Sequence, residues 1–568
     1  MNQQKLLVRK IIYLSGIALL LYPLWLLSQP RTTQSEGGKL ARLRASAGLS
    51  EANLGQIDPT SASMKLASFG LHGAAATKLW TSALSYKERE DYTNFDAALE
   101  QITYLQPHFV KVWEFQGHNV AFNISVEFDD YRKRYQYVIK GFNLLKKGIR
   151  YNEKDPKLLR SLAHFTGFKI GRSDEKQFYR VLYRNDEDFH APKNDQNPLL
   201  GSRYHRPEAM RDNWLVSKWW YREAEKLVEL GQAQYSSMNM NPLRYGANET
   251  ETRYGPINAF LLHSDAPRQQ MQYAETIEEE GEFGPKAQMA WATAKEEWDE
   301  FGSKDIPTTL GFTVRLNRLD TFTALRDKRR KELEELEPGL PDALQQKVID
   351  ELSPDELAAW KKPRAERSEQ EVAMVRDIER RRRVTPEMIA AAMPEDKRQD
   401  ALQLVERVNY AGERVRMIET YRTVVNYEYW GERTRIEQSP DTIAARESVY
   451  RAKEKYTKGD LPGARERFDE GILQWASVLK RFPVLLDHDA MVRDLYEMIR
   501  SYRELLAQTR DDGSSELPDD FPLQMVVDKH DAVPQPEEDS AADETESEEL
   551  QPETPRTEDE ENNDNPES

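Results

Sequence analysis

The chain has 568 residues, of which 39% are hydrophobic, 31% charged and 10% aromatic, enough for several domains and too aromatic for disorder throughout. It contains no cysteine, which excludes disulfides, thiolate metal sites, iron–sulfur ligation, a catalytic thiol and a lipidated N-terminal cysteine. The formal net charge of −18 argues against a general nucleic-acid binder.

Residues 1–28 read as a short cytoplasmic tip and a transmembrane anchor. Ile11 to Leu27 carries no charged residue. At 1.5 Å per residue this run spans about 25 Å, which flanking side chains extend toward the thickness of a bilayer. Lys5, Arg9 and Lys10 precede it, and Trp25 sits where an interfacial aromatic belongs. A cleaved signal peptide needs small residues just after the apolar run, and Ser28-Gln29-Pro30-Arg31 does not supply them. Arg9 and Lys10 abut the span and favour a cytoplasmic N-terminus, with the body outside the cytoplasm at the inner membrane. Residues 29–60, rich in Gly, Ser, Thr and Gln, read as a linker.

Residues 61–310 form a dense aromatic region, 311–400 a highly charged helical insertion, and 401–510 a return to amphipathic helix. Strand signals are scarce and helix signals frequent, so the fold class is all-α. Ser353-Pro354-Asp355-Glu356 spells a capping box, and Thr385-Pro386-Glu387 a second helix start. Three stretches fit a tetratricopeptide (TPR) hairpin pattern, in which small residues sit where helices touch and large ones fill between them. Pro107 is followed by Trp113 and Gly117. Gly281 and Phe283 precede Ala287, Trp291 and Ala294. Tyr456 and Gly459-Asp460 precede Ala464, Phe468 and Gly471. A less complete unit spans Lys157–Gly171. The units are irregular and separated by insertions, which predicts an irregular TPR-like helical-hairpin solenoid with a TPR-like domain at 61–310 and another at 401–510.

The helix predicted over Phe109–Ser125 groups Trp113, Val120 and Ile124 on one side, with Phe115, His118 and Phe122 opposite. Gln116, Asn119 and Asn123 fall within about 60° of one another beside the Trp113 stripe. Amide side chains in such a row offer donor and acceptor together and can clamp an extended peptide, or they can satisfy neighbouring loop backbone. These three amides, with Trp80 and Trp113, are the candidate partner-contact residues.

The segments 66–80, 105–128, 273–298 and 425–461 together resemble a family of bacterial membrane-anchored, TPR-like helical-repeat proteins of unknown activity. The resemblance covers roughly 60–510, apart from portions of the charged middle. It implies an N-terminal anchor and a TPR-like helical body, with no established reaction.

Chemical motifs are few. The nine histidines are scattered, with no HExxH and no close pair beside a ligating carboxylate, and His118 reads as a hydrogen-bonded interior or interface residue. There is no phosphate-binding glycine loop and no GxSxG. Glu278–Glu280 and Glu296-Glu297 are rich in carboxylates but read as solvated helix faces. Lys328–Lys331 followed by Glu332–Glu337 suits i,i+4 pairing, for example Arg330–Glu334 and Lys331–Glu335. Arg380–Arg383 reads as a solvated face or as a dock for an acidic partner. Residues 511–568 end the chain as a disordered acidic tail, fifteen Asp/Glu against one Arg beyond residue 536.

The expectation is a non-enzymatic, membrane-anchored scaffold or adaptor for protein partners at the cell envelope, without cofactor, metal or nucleic acid. Two alternatives are a helical glycan-acting hydrolase using paired carboxylates and a structural spacer.

Overall fold

The computed structural model describes residues 38–39, 72–89, 91–105, 107–190, 208–229, 256–308, 310–510 and 513–532. The apolar run at 11–27, the linker at 40–60 and the acidic stretch after residue 532 lie outside the described residues. Among the described residues no helix is long and apolar enough to cross a membrane. The chain divides into two compact units, Met1–Gln438 and Ser439–Ser568. The described part is all-α apart from one two-residue strand pair.

The first unit begins with α1 (His72–Glu88), α2 (Tyr92–Leu105) and α3 (Val110–His118). The helix of α3 then widens into a π-turn over Asn119–Ile124. Next come α4 (Tyr131–Tyr151), α5 (Pro156–Gly171), α6 (Lys176–Arg184) and the single turn α7 (Glu187–His190). They are followed by α8 (Asn213–Glu229), α9 (Pro256–Glu279) and α10 (Pro285–Ser303). The starts are written locally. Asp130 accepts from the Arg132 amide at the head of α4, and Asp155 accepts from the Lys157 amide ahead of Pro156 in α5. Each helix packs on a near neighbour in sequence: α1 on α2, α3 on α4, α4 on α5, α5 on α8, α8 on α9 and α9 on α10. One core joins Val110, Trp113, Phe142, Leu145, Leu162, Trp220 and Leu262 across five of these helices. A smaller one joins Ala83, Phe95, Leu99, Ile102 and Val112 across α1–α3.

The small residues explain how closely α3 and α4 approach. A Cβ on Gly141 would sit 2.6 Å from the Gly117 carbonyl, and one on Gly148 2.6 Å from Cγ of Trp113. Trp113 lies in that slot, its indole N–H donating to the Pro107 carbonyl at 2.8 Å and its ring stacked on Tyr151. The Pro107–Trp113 spacing seen in the sequence is therefore bridged by a hydrogen bond.

After a short antiparallel pair, β1 (Ile306–Pro307) and β2 (Thr313–Val314), the unit continues through α11 (Leu319–Leu336), α12 (Leu340–Asp350), α13 (Pro354–Lys361) and α14 (Glu369–Arg381). It ends with α15 (Pro386–Ala392), α16 (Arg398–Val424) and α17 (Tyr427–Glu437). The capping box at Ser353 forms, with a second at Ser368, and Thr385 caps α15. Arg330 pairs with Glu334 at 3.0 Å and Lys331 with Glu335 at 3.7 Å. Leu333, Val384, Ile389, Met393 and Val405 make a separate core beneath these helices. The composition step at residue 400 falls inside α16, which is continuous.

The second unit comprises α18 (Pro440–Thr457), α19 (Leu461–Arg481), α20 (Asp489–Thr509) and α21 (Gln524–Asp531), each packed on the next. Ala464, Phe468 and Gly471 all face inward, as Ala287, Trp291 and Ala294 do in α10. Each set follows a turn through a positive-φ glycine, Gly459 or Gly281.

Candidate functional site

The π-turn carries two of the candidate amides and changes what the sequence periodicity implies. Bonding to the fifth residue instead of the fourth slows the rotation per residue. Phe115 and Phe122, expected on one face, separate as a result. Phe115 meets Trp80 and Phe95 of α1 and α2, whereas Phe122 stacks on His118 at 4.6 Å and meets Phe165 of α5 edge-on. His118 is thus an aromatic interface residue between α3 and α5.

Of the five candidate contact residues, Trp113, Gln116 and Asn119 are only 1%, 4% and 2% exposed. Trp80 is half-buried and Asn123 exposed. Asn123 donates to Oδ1 of Asn119 at 3.0 Å. Nδ2 of Asn119 and Oε1 of Gln116 are buried without a hydrogen-bond partner among the described residues. Val112, Gln116 and Asn119 recur at helical spacing, and Val112 belongs to the α1–α3 core. Gln116 and Asn119 therefore belong to the interior of the first unit, while Asn123 stands at its surface. An unpaired buried amide costs about 1–3 kcal/mol, and here one acceptor and one donor are left in adjacent turns.

A second polar region runs through α5, α6 and α8–α10. Asp212 accepts from the α8 amide of Trp214 and from both Arg180 and Arg184 at 2.9 and 3.0 Å. Glu280 neutralises the far side of the two arginines. Ser217 bonds the Ala163 carbonyl and Gln269. Trp214 donates to Thr276, and Lys218 reaches Gln270 and Glu297. The carboxylates that the sequence placed on solvated faces belong to this region. Glu278 is buried and accepts from the Trp291 indole at 3.0 Å. Glu279 pairs with Lys176, Glu280 with Arg184, and Glu297 with Lys218 and Arg222. Glu296 alone of the five is exposed without a described partner. The cause is tertiary: the cations come from α6 and α8, far along the chain.

The tightest knot lies at the end of α8. Glu225 Oε1 meets Nδ1 of His263 at 2.6 Å and Nζ of Lys304 at 2.5 Å, and Oε2 takes a bond from Arg222 at 3.1 Å. Glu229, one turn on, meets Lys304 at 3.0 Å. Burial pushes the Glu225 carboxyl up, but bonds from His263 and Lys304 and the charges of Lys304 and Arg222 outweigh it and hold the group down at about 2. Burial lowers the Lys304 ammonium and the two glutamates raise it further, so the net shift is upward. His263, read in the sequence as one of several scattered histidines, is the imidazole of this knot. The signal that could have found it is the Glu225–Glu229 pair at i,i+4, a like-charge spacing that disfavours a helix unless a cation bridges it.

Three of the four arginines of the basic run have neighbours nearby in the chain, and Arg383 is exposed. Arg380 pairs with Asp377, Arg381 with Glu356, and Arg382 lies over Trp360 while bonding Gln345. Comparisons with protein families, curated proteins and solved structures gave no match, and the resemblance to membrane-anchored TPR-like proteins rests on the quoted residues alone.

Proposed function

We propose that the chain is a membrane-anchored, TPR-like helical scaffold that holds a protein partner at the cell envelope, with its body outside the cytoplasm. The anchor is read from Ile11–Leu27, and the body is a succession of helix hairpins. The observation that carries the reading is the surface end of the amide row, where Asn123 is exposed and tied to Asn119. Its amide offers donor and acceptor together to a peptide backbone, while Asn119 and Gln116 are buried behind it and hold it in place.

The test separates stability from binding. Asn119→Ala with Asn123→Ala removes an unpaired buried donor, so the helical body is expected to unfold at equal or higher urea concentration. Partner recovery, measured by quantitative mass spectrometry after affinity purification of the full chain from mild-detergent membranes, is expected to fall. Unchanged recovery with intact circular dichroism would sink the amide clamp, and no stoichiometric partner in either form would sink the scaffold.

A further inference from the structure

The knot at the end of α8 holds the one described group of side chains that could ligate a metal. Ligand atoms of Glu225, Glu229 and His263 lie within 4.8 Å of one another. Two carboxylates and an imidazole form a mixed oxygen–nitrogen set that suits zinc or a neighbouring transition metal. Two ligands come from successive turns of α8 and the third from α9. Arg222 bonds the other oxygen of Glu225, as outer-shell partners of ligating carboxylates do.

Lys304 reaches in from just beyond the end of α10 and bonds both carboxylates. Its ammonium sits between the two oxygens a metal ion would bridge. We propose that Glu225, Glu229 and His263 form a divalent transition-metal site in which Lys304 is the resident competitor. Two carboxylates carry two negative charges, which Lys304 and Arg222 together balance. A metal ion enters by displacing the Lys304 side chain, which is one-fifth exposed. A water supplies the fourth position, as in zinc sites with three protein ligands. Affinity in the native chain is set by the work of displacing Lys304, so removing that ammonium strengthens the site while it weakens the metal-free fold.

The test uses the full chain in detergent, with Zn2+ alone as the probe in titration calorimetry and in thermal melts, and Co2+ for its visible absorption. Lys304→Met keeps most of the stem and removes the charge. It is expected to bind Zn2+ at least about tenfold more tightly than the native chain and to melt lower without metal. Zn2+ is then expected to raise its melting midpoint by more than the native one. Adding His263→Gln to Lys304→Met, with folding checked by circular dichroism, is expected to abolish the gain and the Co2+ absorption. Equal Zn2+ affinity in the native chain and Lys304→Met would overturn the proposal. So would a gain that survives His263→Gln, which would place the ion elsewhere.

Discussion

The unit that ends at Gln438 buries Arg180, Asp212, Glu225, His263, Glu278, Arg433 and Glu437, among others, each within helix-to-helix contacts. The unit that begins at Ser439 buries, among its described residues, only Thr442 and Ser448 as polar side chains; the rest of its interior is Phe468, Trp475, Leu495, Ile499, Leu505 and similar groups. The second core is held by apolar burial, which depends on volume and shape and tolerates substitutions that conserve both. In the first unit α5, α6, α8, α9 and α10 are also tied to one another by charged contacts. A buried ion stripped of its counter-ion costs far more than a lost methyl group, so the polar interior tolerates truncation poorly.

Asp212→Ala tests this contrast most severely. It leaves Arg180 and Arg184 facing Glu280 alone and uncaps α8, and the first unit is expected to lose about 3–5 kcal/mol in urea. Tryptophan fluorescence reads mainly this unit, because Trp475 is the lone tryptophan after Gln438. A loss under about 1 kcal/mol would show that Glu280 suffices for both arginines. Gly148→Ala is next. Its Cβ would meet Trp113 at 2.6 Å, in a slot closed by Tyr151, and the expected loss is about 1–3 kcal/mol. Gly471→Ala in the second unit meets a Val449 methyl at 3.0 Å and Ser448 Cβ and the Val449 backbone nitrogen at 3.4 Å, all looser than the Trp113 contact, so its melting midpoint should shift less. The reverse order would break the comparison.

Tyr502→Phe probes the second unit and carries the smallest expected effect. The Tyr502 hydroxyl donates to Asp469 at 2.6 Å, and its removal should cost about 1 kcal/mol. Burial, and then the bond to Asp469, push the phenol up to about 12. The folded form therefore holds its proton more tightly than the unfolded one. The resulting stability is complete below pH 10 and fades as the pH climbs through 12. Chemical denaturation of the second unit at pH 9 and pH 11 should show this decline in the native chain and less of it in Tyr502→Phe.

Local chemistry was legible in the sequence. The Ser353 capping box, the Thr385 start, the Arg330–Glu334 pair and the inward faces of Ala464, Phe468 and Gly471 all depend on residues three or four apart, and the structure contains each of them. The polar interior was not legible. Glu278 looks solvated in isolation because its indole partner, Trp291, belongs to the next helix. His263 and Glu225 are 38 residues apart, and Lys304 and Glu225 are 79 apart. The i,i+4 spacing of Glu225 and Glu229 calls for a cation, but nothing in α8 itself says which distant residue supplies it. The strand pair Ile306–Val314 escaped notice because two residues cannot display an alternation. The amide row was half legible. Its composition could be read, but the burial of Gln116 and Asn119 is set by tertiary packing that one helix's periodicity does not carry.

The widened turn at Asn119–Ile124 ties chain length to surface identity. A π-turn is, in effect, one surplus residue accommodated inside a helix. Excising a single position from it would restore even α-helical winding without lengthening or breaking the segment. Residues downstream to Phe128 would keep their places against α4 and α5, because the shorter α-helical path rotates the chain about as far as the longer widened one. Regular winding without the excision would instead swing Phe122 back toward the side of Phe115 and move Asn123 with it. In an alignment, a relative with a one-column gap here would therefore keep the same outward face, whereas an ungapped relative without the widened turn would not.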